Sequence, residues 1–159
     1  MIYQKGFTLI ETIIYIALFT ILIVGGFVTA YQLIQGSDTL NAKTITQEEG
    51  NFVLRKMDWA LTGLDSGNPP VVVPSVSGCE DTLKVYKYSY TNNPIEFSRN
   101  TASSTIEMRE AFGVNIPITT SNASTTCLKF SLIAGTPSGI TATTTINSID
   151  FTITKYIRK

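Results

Sequence analysis

Histidine is absent from this chain of 159 residues. That excludes a Ser-His-Asp or Cys-His catalytic couple and any zinc site built on imidazole. Charge is also scarce: charged residues make up 15% of the chain, against roughly 25% in an ordinary soluble domain. Lys and Arg number 12, as do Asp and Glu, so the formal net charge is zero. A neutral chain carries no global basic footprint for nucleic acid. Only two cysteines occur, Cys79 and Cys127. No phosphate-binding glycine loop, G-x-S-x-G elbow or metal-ligand spacing is present in the sequence, so no catalytic residue, metal or cofactor is expected.

What the chain has instead is one concentrated apolar run. Mean hydropathy is +0.17, high for a soluble protein. Phe7–Ile34 alone carries a hydropathy total of about +54, twice the chain's total of about +27, which leaves the other residues at roughly −0.2 each. This is a polar domain hung on one apolar segment. Glu11 is the only charge in that segment. As a helix of roughly 28 residues it would run about 42 Å at ~1.5 Å per residue, enough to cross a ~30 Å hydrocarbon core. Lys5 precedes it, and Asp38 and Lys43 follow; the weak basic bias points to N-terminus in and C-terminus out. Gly25-Gly26 interrupts the run. Each glycine costs about 1 kcal/mol in a helix interior relative to Ala. They mark either relaxed packing or a soft point. Gly36-Ser37-Asp38 offers a second possible break.

Beyond it, Ile45, Phe52, Val53, Met57, Ala60, Leu61 and Leu64 fall largely at helical spacing, with Glu48, Glu49, Arg55, Lys56 and Asp58 mostly off that stripe. The pattern predicts an amphipathic helix with a core-facing side. Gly63 and then Gly67-Asn68-Pro69-Pro70 end it. The simplest reading is one long helix, apolar all round at first and one-sided later. After Pro74 the period changes to two. Ile95/Phe97, Ile106/Met108, Leu128/Phe130/Leu132 and Ile149/Phe151/Ile153 each alternate with polar residues, and Thr82–Tyr90 reads as a further strand. Short turns between strands, with no helical pattern among them, predict an antiparallel sheet whose apolar face the helix stripe covers. The expected fold is α+β. Ser and Thr crowd residues 119–126 and 141–145, a composition that leans towards an extracytoplasmic setting.

The start of the chain carries the functional signal. Lys5-Gly6-Phe7-Thr8-Leu9-Ile10-Glu11, followed directly by the apolar run, closely resembles the type IV prepilin signal of pilins and of the pseudopilins of type II secretion and competence systems. The match covers roughly the first 35 residues. A basic residue and Gly before Phe, Glu four residues on, and then an apolar helix rarely coincide by chance. The resemblance implies that a prepilin peptidase cuts between Gly6 and Phe7 and that the new amine of Phe7 is N-methylated. It implies a single-pass anchor in the cytoplasmic membrane, an inner-membrane assembly platform, and a filament of pilin subunits with helices in its core. It divides the chain into a leader (1–6), an anchor or filament-core half-helix (7–35), an amphipathic half-helix (36–65) and an extracytoplasmic β domain (66–159).

A carboxylate at the centre of a bilayer-spanning helix costs about 2.5–3.5 kcal/mol on insertion scales, and less near the end of the span. The partner the resemblance implies for Glu11 is the N-terminal amine of the adjacent subunit. Read without the motif, Glu11 is a residue favoured by about 0.3–1 kcal/mol in a helix's first turn. Many major pilins bend this helix with a proline. This sequence has none between Phe7 and Gly67, and Gly25-Gly26 could substitute for it. Leu54-Arg55-Lys56-Met57-Asp58-Trp59-Ala60-Leu61 is similar to the helix end of minor pilins and pseudopilins, which tilts the reading to a minor subunit.

An oxidising compartment favours pairing of Cys79 with Cys127. The loop closed, of about 48 residues, gives roughly 4 kcal/mol in the closure model; two free thiols is the alternative. Glu80-Asp81 reads as a solvated loop, since calcium needs six or more oxygens. Lys155, Arg158 and Lys159 are too few for tight nucleic-acid binding and read as a solvated end. Two other readings compete with the structural subunit. One is a secreted β domain whose ordinary signal peptide is cut after Ala30, leaving Tyr31 first. The other is an anchored enzyme or binding module, for which the sequence offers no site.

Overall fold

The structure, a computed structural model, describes Gly6 and residues 8–157. Helix α1 (Leu9–Leu61) is followed by β1 (Val71–Val73), β2 (Thr82–Val85), β3 (Ile95–Asn100), β4 (Thr105–Glu110), β5 (Ile116–Pro117), β6 (Thr125–Ile133), β7 (Gly139–Ile146) and β8 (Ile149–Tyr156). The arrangement is α+β, with all strand ladders antiparallel. The chain forms two compact units, Met1–Lys43 and Thr44–Lys159.

In the first unit the helix is apolar all round as far as Ile34. The most apolar 18-residue window of α1 has a hydropathy of 2.5 and none of it is buried. By length and composition this helix can cross a membrane. Its polar side chains close on the helix itself. The Thr12 hydroxyl donates to the Thr8 carbonyl at 3.1 Å, Thr20 to the Ile16 carbonyl, and Thr39 to the Gln35 carbonyl at 3.0 Å. The Gln35 amide donates to the Tyr31 hydroxyl at 2.9 Å. Such internal pairing suits hydrocarbon, where nothing else satisfies a polar group. The helix also runs through Gly36-Ser37-Asp38, where a break was admissible. One glycine costs only about 1 kcal/mol in a helix, and no proline stands nearby to stop it.

In the second unit the end of α1 lies on the sheets. Its buried residues are Thr46, Gly50, Val53, Met57, Ala60 and Leu61, one row at helical spacing. Phe52, expected on that row, is 39% exposed; it lies one position off Val53. The row passes instead through Gly50, against which the Phe151 ring of β8 lies so closely that a Cβ would meet it. Gly63 ends the helix in the left-handed region, at φ +71°. Lys87 completes the end: its Nζ donates to the carbonyls of Trp59 and Thr62, each at 2.6 Å, and lies 4.6 Å from the Trp59 ring centroid.

Two sheets stand where one was expected: β1-β2-β3-β4-β5 and β6-β7-β8. Residues 118–124 carry the chain from β5 to β6 without pairing β6 to β4, so the second meander begins separately. Thr141–Thr145 lies inside the central strand β7. The strand expected over Thr82–Tyr90 ends at Val85. Beyond it only Lys87 bridges, to Leu64, because the Asn93 side chain takes both the Lys87 N–H and its carbonyl, at 2.9 and 2.7 Å. Leu132 and Ile149, expected on buried faces, are 56% and 37% exposed; both lie near strand ends. The core joins Val53, Met57 and Ala60 of α1 to Leu83, Phe97, Ile106, Leu128, Ile140 and Ile146 of the sheets.

Candidate functional site

The candidate site is the N-terminal entrance to α1. Phe7, Lys5 and the rest of residues 1–5 lie outside the described residues. Gly6 is exposed and outside the helix. Thr8 stands immediately before it, and Glu11 falls in its first turn, where the exposed backbone N–H groups and the dipole favour a carboxylate. The backbone N–H groups of Glu11 and Thr12 donate to the Thr8 carbonyl at 3.1 and 3.3 Å. The Glu11 side chain is half-buried, and its Oε1 accepts a hydrogen bond from the Tyr15 hydroxyl at 3.3 Å. Tyr15 was not singled out in the sequence, although the i, i+4 spacing from Glu11 was there to be read.

Gly25 and Gly26 are helical, about 21 Å further along at ~1.5 Å per residue. The Thr29 hydroxyl donates to both glycine carbonyls, at 3.1 and 2.9 Å. A Cβ at either glycine would meet open space, so nothing inside the chain requires their smallness.

In the second unit Cys79 and Cys127 form a disulfide across 48 positions of sequence. It belongs to a seam between the sheets. Leu128 N–H donates to the Cys79 carbonyl at 2.9 Å and Asp81 N–H to the Leu128 carbonyl at 3.0 Å. Asp81, expected in a solvated loop, is buried, 4% exposed. Its two carboxylate oxygens accept from the backbone N–H groups of Ser75 and Phe130, at 2.9 and 3.0 Å. A buried carboxylate needs such donors, which explains why Asp81 stands in this loop. Glu80 pairs with Arg99 at 3.3 Å. Lys155, expected in a solvated end, bonds Asp58 of α1 at 2.6 Å; Arg158 and Lys159 lie outside the described residues.

Charge elsewhere is arranged for structure. On the open face of the first sheet Glu96 lies between Lys84 and Arg109. Burial raises its carboxyl pKa, but the Arg109 hydrogen bonds and the two cations outweigh it and hold it below its ordinary value. Desolvation pulls the Lys87 ammonium down, while the two helix-end carbonyls favour its charged form. Desolvation and the Glu110 carboxylate, which accepts from the phenol at 2.9 Å, push Tyr90 up. The recess of about 600 Å³ beside Leu64, Pro69, Pro70, Leu132 and Ile157 holds one ionisable side chain, Asp65. Its carboxyl is lowered by the Asn68 side chain and the Gly67 N–H. Among the described residues no group of three or more His, Cys, Asp or Glu could hold a metal ion.

A family model described as the prokaryotic N-terminal methylation motif matches residues 1–27. No curated protein and no solved structure matches the chain. The matched stretch contains Gly6, Phe7, Glu11, Gly25 and Gly26. The chain therefore carries the type IV pilin and pseudopilin signal. The signal marks a pilin-like substrate of prepilin peptidase and implies assembly with other pilin subunits. Proteins with this motif are structural. Together with the apolar helix the motif points to membrane anchoring.

Proposed function

We propose that this chain is a membrane-anchored structural subunit, a minor pilin or minor pseudopilin, that enters or primes a type IV pilus or a type II secretion or competence pseudopilus. Prepilin peptidase removes residues 1–6 by cutting between Gly6 and Phe7, and the new amine of Phe7 is N-methylated. Residues 7–35 anchor the subunit in the cytoplasmic membrane, N-terminus in, and later lie in the filament core. Residues 36–65 form the amphipathic second half, helical to Leu61, and residues 66–159 form the extracytoplasmic β domain. Gly25 and Gly26 are the point at which the helix yields on assembly. The inner-membrane assembly platform and the bilayer are further partners.

One observation carries this reading: the methylation motif over residues 1–27 runs directly into a helix apolar enough to span a membrane, with Glu11 as its first-turn acid. Co-expression with a prepilin peptidase and mass spectrometry of the N-terminus test it. N-methyl-Phe7 is the expected product. Tyr31 at the N-terminus would instead establish ordinary signal-peptide cleavage after Ala30, and an intact Met1 would sink both.

A further inference from the structure

We propose that Tyr15 is a positioning residue for Glu11: its phenol holds the carboxylate in place on the helix while the subunit waits in the membrane, and releases it to the amine of a neighbour on assembly. The proposal rests on the assembly reading above. Its starting point is the bond from the Tyr15 hydroxyl to Glu11 Oε1, 3.3 Å long and one helical turn apart.

Side chains on a helix lean towards its N-terminus. A carboxylate one turn inside an apolar segment would therefore reach back along the helix to water and lipid headgroups, as long charged side chains do. Withdrawn in that way, it would leave the lateral face where a neighbouring helix approaches. Tyr15 stands on the opposite, inner side of Glu11 and donates from there. Between them lie only Thr12, Ile13 and Ile14, and the Thr12 hydroxyl already donates to the Thr8 carbonyl. The phenol is a neutral donor, so it satisfies the carboxylate without removing its charge. An incoming ammonium then offers a stronger, charge-assisted bond and displaces it. Glu11 is half-buried and Tyr15 is 53% exposed, so the pair can be approached from the side.

The test uses the full chain in a host that supplies prepilin peptidase and a pilus assembly system. Tyr15→Phe should leave Phe7 methylation unchanged and lower incorporation into sheared filaments about three- to tenfold, the range of side-chain hydrogen bonds in membrane helix bundles. Glu11→Gln should lower incorporation further, and the double variant should be no worse than Glu11→Gln alone, because Tyr15 acts through Glu11. A second readout needs no assembly. With 3-fluorotyrosine at position 15 and the chain in phosphatidylethanolamine–phosphatidylglycerol vesicles, the fluorine resonance should move on Glu11→Gln. An unmoved resonance, undiminished incorporation of Tyr15→Phe, or multiplied losses in the double variant would each overturn the proposal while leaving the filament reading intact. Wild-type chain that is neither methylated nor incorporated would overturn that reading, and the proposal with it.

Discussion

On the proposed reading Glu11 is costly in the bilayer and useful in the filament. Its charge is tolerated at the entrance to an apolar helix because the first turn and the Tyr15 hydroxyl both favour it. Glu11→Val should leave cleavage and methylation at Phe7 largely intact and reduce filament incorporation at least about tenfold, as loss of a charge-assisted bond in a water-poor site would. Normal incorporation of that variant would refute the role assigned to the carboxylate. Gly50 makes a different residue-scale case. Alanine gains about 1 kcal/mol over glycine in a helix, yet the Phe151 ring occupies the space a Cβ needs. With overpacking at about 1–3 kcal/mol, Gly50→Ala should be net destabilising, measured as a lower urea midpoint with an unchanged slope. Glu96 sets part of the acid sensitivity. Its folded pKa is held below its ordinary value, so its contribution is fully present above the unfolded value and is lost as pH falls through the folded one. Removing a cation raises the folded value. Arg109→Gln should therefore lower stability near neutral pH and shrink the part of it lost on acidification, visible as urea midpoints that lie below the parent's at about pH 6 and converge with them towards about pH 3.

At the scale of elements, the contacts that decide the β domain join segments distant in sequence. The end of α1 is closed by Lys87, which follows β2. Lys87→Met keeps the apolar stem and removes two bonds to helix-end carbonyls. It should cost about 1–3 kcal/mol. The two sheets meet at the seam of Cys79–Asp81 with β6, held by the disulfide and by Asp81. Replacing both cysteines with serine should lower unfolding free energy by about 2–4 kcal/mol. The domain should still fold, because the backbone bonds of the seam and the Asp81 carboxylate remain. The period-two strands were legible because alternation survives wherever one face is buried. Leu83 and Val85 obey it. The Tyr86–Tyr90 continuation did not form, because a side chain, Asn93, took the backbone groups a strand would have used. The role of Asp81 was illegible for a related reason: it depends on Phe130, 49 positions away.

At the scale of the molecule, the two units have opposite relations to solvent. Residues 9–34 expose nearly every large apolar side chain, among them Leu9, Phe19, Phe27 and Ile34 at 80, 66, 74 and 63%. The core, by contrast, lies wholly within Thr44–Lys159. A chain beginning at Thr44 should be soluble without detergent and should unfold cooperatively, followed by circular dichroism; the full chain should require detergent or lipid. A shortened chain that shows no cooperative transition would mean that the core depends on the anchor segment.

The sequence by itself determined the processing signal, the apolar segment and the change from helical to strand period. Each is written in neighbouring residues, and peptidase, bilayer and local backbone all read short stretches of chain. The tertiary structure alone decided that the strands split into two sheets, that Gly50 receives the Phe151 ring, that Lys87 closes the helix, and that Asp81 is buried with its donors. Those facts depend on which side chains reach the same point in space. Composition and period do not fix this: period assigns a residue to a face, but packing chooses its partner.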